Sequence, residues 1–108
     1  MQRQRRVDAE AAARRLVSEG KVKLYVFKPS GRSVWIVVGR HRDYLVMPSV
    51  PYCTCDDFFF RVINNEKPLC YHLLAVRMAS ESGAYEVIEE SDEWYWQLIW
   101  EWIDWSRR

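Results

Sequence analysis

Residues 21–27 alternate cleanly, with Val22, Leu24 and Val26 on one side and Lys21, Lys23, Tyr25 and Phe27 on the other. A period of two over seven residues predicts a half-buried strand. Pro29, Ser30 and Gly31 supply turn chemistry, and Gly31 can take a positive φ in a short hairpin. Residues 33–38 are rich in β-branched side chains and predict a second strand. A polar turn at 39–43 leads to a third strand at 44–47; His41 sits among charges there and reads as exposed. On both sides of this meander the period becomes helical. Residues 3–19 are alanine-rich, with Asp8 and Glu10 early and Gly20 as a stop, so they predict a helix. Asp56 or Asp57 can cap a short helix through Val62. In it Phe58, Phe59 and Phe60 read as core. Residues 64–68 form a loop, and 71–82 predict a helix that packs through Leu73, Leu74, Val76 and Met78 and ends at Gly83.

The last helix has a different character. Ser91 can cap it, with Asp92 and Glu93 in its first turn. At about 100° per residue its apolar positions span about 240°, far more than the roughly 100° that one packed face needs. On that wheel Trp94, Leu98, Trp102 and Trp105 fall together and are expected to cover the protomer's own core. Trp96, Trp100 and Ile103 are then left toward solvent as a protein-interface stripe. Two occupants fit, a second copy across a two-fold or a different protein. The alternative is that Tyr25, Phe27 and Trp35 cover that second face within the chain. These elements predict a small α+β domain. It comprises a three-stranded antiparallel sheet, an N-terminal helix and two C-terminal helices on the sheet. The whole chain, 1–108, reads as one domain with a basic helix at 1–20, the sheet and finger at 21–82, and a tryptophan-rich helix at 84–108.

Charge divides the chain. Residues 1–45 carry eleven Lys/Arg against four Asp/Glu, and 46–108 carry five against eleven, so a formal net charge of +1 hides +7 and −6. The basic half offers Arg3, Arg5, Arg6, Arg14, Arg15, Lys21, Lys23, Arg40 and Arg42 as candidates for nucleic-acid phosphate contact. A solvated helix face, or attraction between the two halves within the fold, would explain the same split. No apolar run approaches a membrane span, and no apolar stretch follows the arginines of the N-terminus, so neither a membrane nor a secretion signal is expected.

All three cysteines and one of the two histidines lie in Cys53-Thr54-Cys55 and Cys70-Tyr71-His72, separated by fourteen residues. Three cysteines cannot all pair within one chain, and without a secretion signal a reducing intracellular setting is expected, in cytoplasm, nucleoid or nucleus. Thiolate and imidazole are the ligands zinc prefers, and three sulfurs with one nitrogen complete a tetrahedron. In an extended segment, positions i and i+2 share a face, which suits Cys53 and Cys55. Cys70 and His72 lie at a predicted helix N-terminus, where backbone N–H groups favour thiolates. The plain alternative is buried apolar cysteines and a core histidine. A closed Cys3His site leaves no open position for water, and no deaminase arrangement, phosphate loop or Ser/His/Asp set is present, so an enzyme or a small-molecule substrate is not expected.

The Cys-x-Cys…Cys-x-His pattern resembles the SWIM-type zinc finger. The likeness extends to Phe58 and to Leu73, Leu74, Ala75 and Val76, and covers about a quarter of the chain. The run from Leu69 to Val76 is similar to that of the small SWIM-domain subunit of the Shu recombination complex and its archaeal relatives. Many members carry Lys or Arg between the last cysteine and the histidine, where this chain has Tyr71. The resemblance implies a structural zinc and an accessory role in homologous recombination and DNA repair. It also implies binding to DNA, to a RecA-family paralogue, or to both. An adaptor or homodimer without direct DNA contact is the alternative.

Overall fold

A computed structural model describes residues 2–40, 42–49, 52–54 and 70–105, with side chains described for 8–40, 42–49, 53–54 and 70–103. Helix α1 (Gln2–Ser18) is followed by strands β1 (Val22–Lys28), β2 (Arg32–Val38), β3 (Asp43–Met47) and β4 (Tyr52–Cys53), helix α2 (Tyr71–Ser82), strand β5 (Glu86–Ser91) and helix α3 (Tyr95–Trp105). The strands lie in the order β4-β3-β2-β1-β5. β1 to β4 form the expected antiparallel meander, with Val22 opposite Val37, Trp35 opposite Val46 and Val46 opposite Cys53. The expected short helix through Val62 and the loop at 64–68 lie outside the described residues.

The sheet is larger than the three antiparallel strands expected from the pattern. The two-residue β4 extends one edge, and β5 extends the other by pairing parallel to β1, with Leu24 opposite Val87 and Phe27 opposite Glu90. Residues 86–91 show little alternation because the strand is an edge, and only Ile88 and Glu90 in it are half-buried. Its register is held instead by main-chain bonds and by ion pairs from Lys23 to Glu86 and from Lys28 to Glu89. A strand specified by pairing with a distant neighbour leaves a weak local signature.

The helices divide between the two faces of the sheet. α1 and α2 cover one face, where Ala13, Leu73, Val76 and Ala79 meet Val22, Val37, Val46 and Cys53. α3 covers the other, where Trp102 meets Phe27, Val34, Ile36 and Leu45. β1 is therefore buried on both faces, not half-buried. Val22 points into the first core and Phe27 into the second, both fully enclosed. Trp35 belongs to the first face and meets Tyr85 edge-on, while Tyr25 and Phe27 meet α3 through Trp102 and Tyr95.

The path into α3 explains how that helix is turned. Ser91 accepts from Glu93 N at 3.3 Å and starts a single 3-10 turn, Asp92–Trp94, before the α-helix begins. Asp92 accepts from Ser30 N at 2.9 Å and from its hydroxyl at 2.7 Å, which ties the hairpin to this junction. A 3-10 turn advances about 120° per residue rather than about 100°. Trp94 is thereby out of phase with the face expected for it and is 46% exposed, while Tyr95, Leu98 and Ile99 join Trp102 on the core. Among the described residues no helix is long and apolar enough to cross a membrane.

Candidate metal centre

Cys53, Cys70 and His72 come together from two elements distant in sequence. Cys53 ends β4 and is held by the strand beside it. Thr54 N donates to Leu45 O at 3.1 Å, and Leu45 N donates to Thr54 Oγ1 at 3.0 Å. Thr54 therefore continues the pairing of the knuckle with β3 after β4 itself stops. Cys70 is the N-cap of α2, with extended backbone (φ −79°, ψ 160°), and its side chain caps no backbone N–H. Its sulfur is thus turned away from the capping role that a serine would take. His72 lies in the first turn of that helix.

The two sulfurs and an imidazole nitrogen lie within 4.8 Å of one another, and all three side chains are buried. The Nδ1 atom of His72 is buried with no hydrogen-bond partner among the described residues. An unsatisfied buried nitrogen costs roughly 1–3 kcal/mol, and a metal would satisfy it. Two soft sulfur donors beside that nitrogen fit a metal of zinc's character. Cys55, the fourth ligand expected from spacing, lies outside the described residues.

A second set of side chains lines His72, and the sequence pattern did not single out Tyr44 among them. The rings of Tyr44 and Tyr71 lie against the imidazole, with centroids at 4.4 and 4.1 Å. The Arg42 guanidinium stands over the Tyr44 ring at 5.1 Å. Tyr44 reads in the sequence only as the start of a strand. Its partner Gly39 is the sole clue, because a Cβ there would meet the Arg42 carbonyl oxygen and lie 2.6 Å from Tyr44 Cε2. Gly39→Ala is expected to cost about 1–3 kcal/mol by overpacking this turn. Chemical denaturation reads the loss directly, and a variant as stable as wild type would mean that the turn has room to give.

The basic candidates are not gathered in one place. Arg14 pairs with Glu10 at 3.8 Å and Arg15 with Glu19 at 3.6 Å along α1, and Lys23 reaches Glu86 at 2.6 Å. The side chains of Arg3, Arg5 and Arg6 lie outside the described residues. Lys21, Arg40 and Arg42 do share an end of the sheet. Val38 N donates to Lys21 O at 2.8 Å, and Gly39 N to Arg42 O at 2.9 Å. Burial raises the Asp43 carboxyl above the usual range; burial, then the charges of Asp43, Glu90 and Glu86, raises the Tyr25 phenol. Of the interface candidates, Trp96 and Trp100 are 70% and 60% exposed, whereas Ile103 is half-buried against the second core.

Comparison of the sequence with known proteins finds relatives. Zinc finger SWIM domain-containing protein 7 of Danio rerio is 39% identical over 70 residues, 63% of this chain and 50% of that protein. Its Dictyostelium discoideum homolog is 30% identical over 90 residues, 82% of this chain and 58% of that one. The chain belongs to the SWIM-type zinc finger family. The Homo sapiens protein of the same name is 34% identical over 70 residues, 63% of this chain and 50% of its own length. The chain thus spans about half the length of the curated relatives it matches. No family model and no solved structure matches it. In this SWIM-type finger a β-strand knuckle and a helix N-terminus present Cys53, Cys70 and His72, and none of these three lies in the second core on the far face of the sheet.

Proposed function

We propose that the chain is a structural-zinc accessory protein of homologous recombination and DNA repair. Cys53, Cys55, Cys70 and His72 hold the zinc. α3 binds a RecA-family paralogue, and the basic end of the sheet contacts DNA. Four protein ligands close the coordination sphere, so the metal organises the finger and performs no chemistry. Three thiolates and Zn²⁺ sum to one negative charge, which the free N–H groups at the start of α2 offset. The Shu-type likeness of residues 69–76 supplies the partner class.

The observation that carries the reading is the contrast within α3. Trp102 is 7% exposed, while Trp96 and Trp100 on the same helix are 70% and 60% exposed. Exposed tryptophans side by side are the residue type that dominates protein interfaces. The segment that carries them is acidic, since residues 81–104 have eight Asp/Glu and no Lys/Arg, and Glu93 and Glu101 are exposed near them in the chain. Such a charge favours a basic partner surface and speeds encounter with it.

A second reading, an adaptor or homodimer without direct DNA contact, is favoured by one observation. Arg14, Arg15 and Lys23 already hold carboxylates of their own chain. Two measurements separate the readings. In pull-down of the RecA-family paralogue from its own cells, Trp96→Asp with Trp100→Asp is expected to lose the paralogue and to keep one equivalent of zinc. Undiminished capture would place the interface elsewhere. Sedimentation of the isolated protein then distinguishes a dimer through the same helix. Salt-dependent titration with DNA tests the other half of the proposal.

A further inference from the structure

Planar groups from β3, α2 and the turn between β2 and β3 form a continuous row beside the metal centre. Arg42 covers Tyr44 at 5.1 Å, Tyr44 lies 4.4 Å from His72, and Tyr71 lies 4.1 Å from the same imidazole. His72 is buried, but Tyr44, Tyr71 and Arg42 are each part-exposed, so the row reaches solvent. Arg40 is exposed and Lys21 part-exposed at the same end of the sheet, and neither holds a carboxylate among the described residues.

We propose that this row is a binding site for single-stranded DNA. A base stacks against Tyr71, the aromatic end of the row, while Tyr44, held between Arg42 and His72, keeps the row rigid, and Lys21, Arg40 and Arg42 neutralise the phosphates beside it. The inference rests on the DNA-binding reading above and adds to it the form of the nucleic acid and the residues that hold it. A duplex presents base edges and phosphates, and its base faces are already stacked on one another; only a single strand offers faces to a ring. Cations alone would serve either form. It is their place beside the part-exposed Tyr71 that selects the single strand. Stacking of a base on an aromatic side chain contributes about 1–3 kcal/mol and is nearly indifferent to sequence. The exposed tryptophans of α3 are larger platforms, yet Glu93 and Glu101 stand near them, and that acidic surface repels phosphate. Rigidity also favours the row. Gly39 seats the turn on Tyr44, and Tyr71 is anchored between Cys70 and His72, so the platform is in place before a base arrives.

The test is fluorescence anisotropy of zinc-loaded full chain with a labelled oligothymidylate of about 15 nucleotides, inside the range of small single-strand sites, and with a duplex of equal length. Wild type is expected to prefer the single strand. Tyr71→Ala should weaken its binding about tenfold or more, with Tyr71→Phe restoring it and zinc content equal in all three. Lys21→Gln with Arg40→Gln should shallow the salt dependence by about 0.7 per lost contact, while Tyr71→Ala leaves the slope unchanged. Should Tyr71→Ala lose zinc, wild-type protein still decides the matter. An oligonucleotide carrying 5-iodouracil should photocrosslink to Tyr71, and crosslinks confined to other residues would overturn the site. Equal affinity for duplex and single strand, or Tyr71→Ala binding as wild type with zinc retained, overturns the row and leaves DNA binding standing. Absence of binding to either DNA at low salt overturns both, and the adaptor reading then holds.

Discussion

Stripping the metal from this finger is expected to abolish its cooperative thermal transition. Cys53 and Cys70 are fully enclosed within the core between α2 and the sheet, and His72 is nearly so. That core is therefore built around two thiols and an imidazole whose Nδ1 has no partner among the described residues. Structural zinc contributes roughly 10–16 kcal/mol in finger peptides, as much as the whole stability of an ordinary domain. Cys70→Ser is the sharpest single change. Serine is a better N-cap than cysteine, so the start of α2 should gain from it if anything. Any loss then reports the metal. We expect the variant to bind much less than one equivalent of zinc and to melt without cooperativity. Retention of the wild-type midpoint after chelation, or in Cys70→Ser, would mean that the cluster is only a packed core.

Trp102→Ala is expected to cost about 3–5 kcal/mol, the usual loss for an enclosed aromatic. Its ring meets Tyr25 edge-on at 5.1 Å and closes the second core over Ile36 and Leu45. Trp96→Ala and Trp100→Ala, six and two residues earlier in the same helix, should each stay within about 0.5 kcal/mol. The three residues are chemically identical, and exposure alone separates them. Denaturant unfolding of the three variants at equal zinc occupancy reads the contrast. Similar losses in all three would show that the outer face of α3 is also packed.

Much of the finger was legible in the residues alone. The convergence of Cys53, Cys70 and His72 followed from spacing and chemistry alone, and the structure brings their ligand atoms within 4.8 Å of one another. The placing of Cys70 and His72 at a helix start follows from the apolar period that begins there, and the structure makes Cys70 the N-cap. The meander of β1 to β3 follows from alternation and from the turn chemistry around Gly31, which takes φ 81°. Local signals of this kind act over a few residues and survive in any fold.

Other features depend on groups far apart in the chain. β5 is a strand because β1 lies beside it, and nothing within residues 86–91 demands a sheet. Tyr44 matters because folding carries α2 back to β3 and sets His72 on its ring. The helical wheel showed that the apolar arc of α3 was too wide for one face. The turn at Asp92–Trp94 and the bonds from Ser30 to Asp92 chose which part went inside, burying Trp102 with Tyr95 and Ile99 and leaving Trp94, Trp96 and Trp100 outside. Periodicity states how much surface an element must hide. Which neighbour hides it, and at what rotation, is decided by contacts that form only when the whole chain has folded.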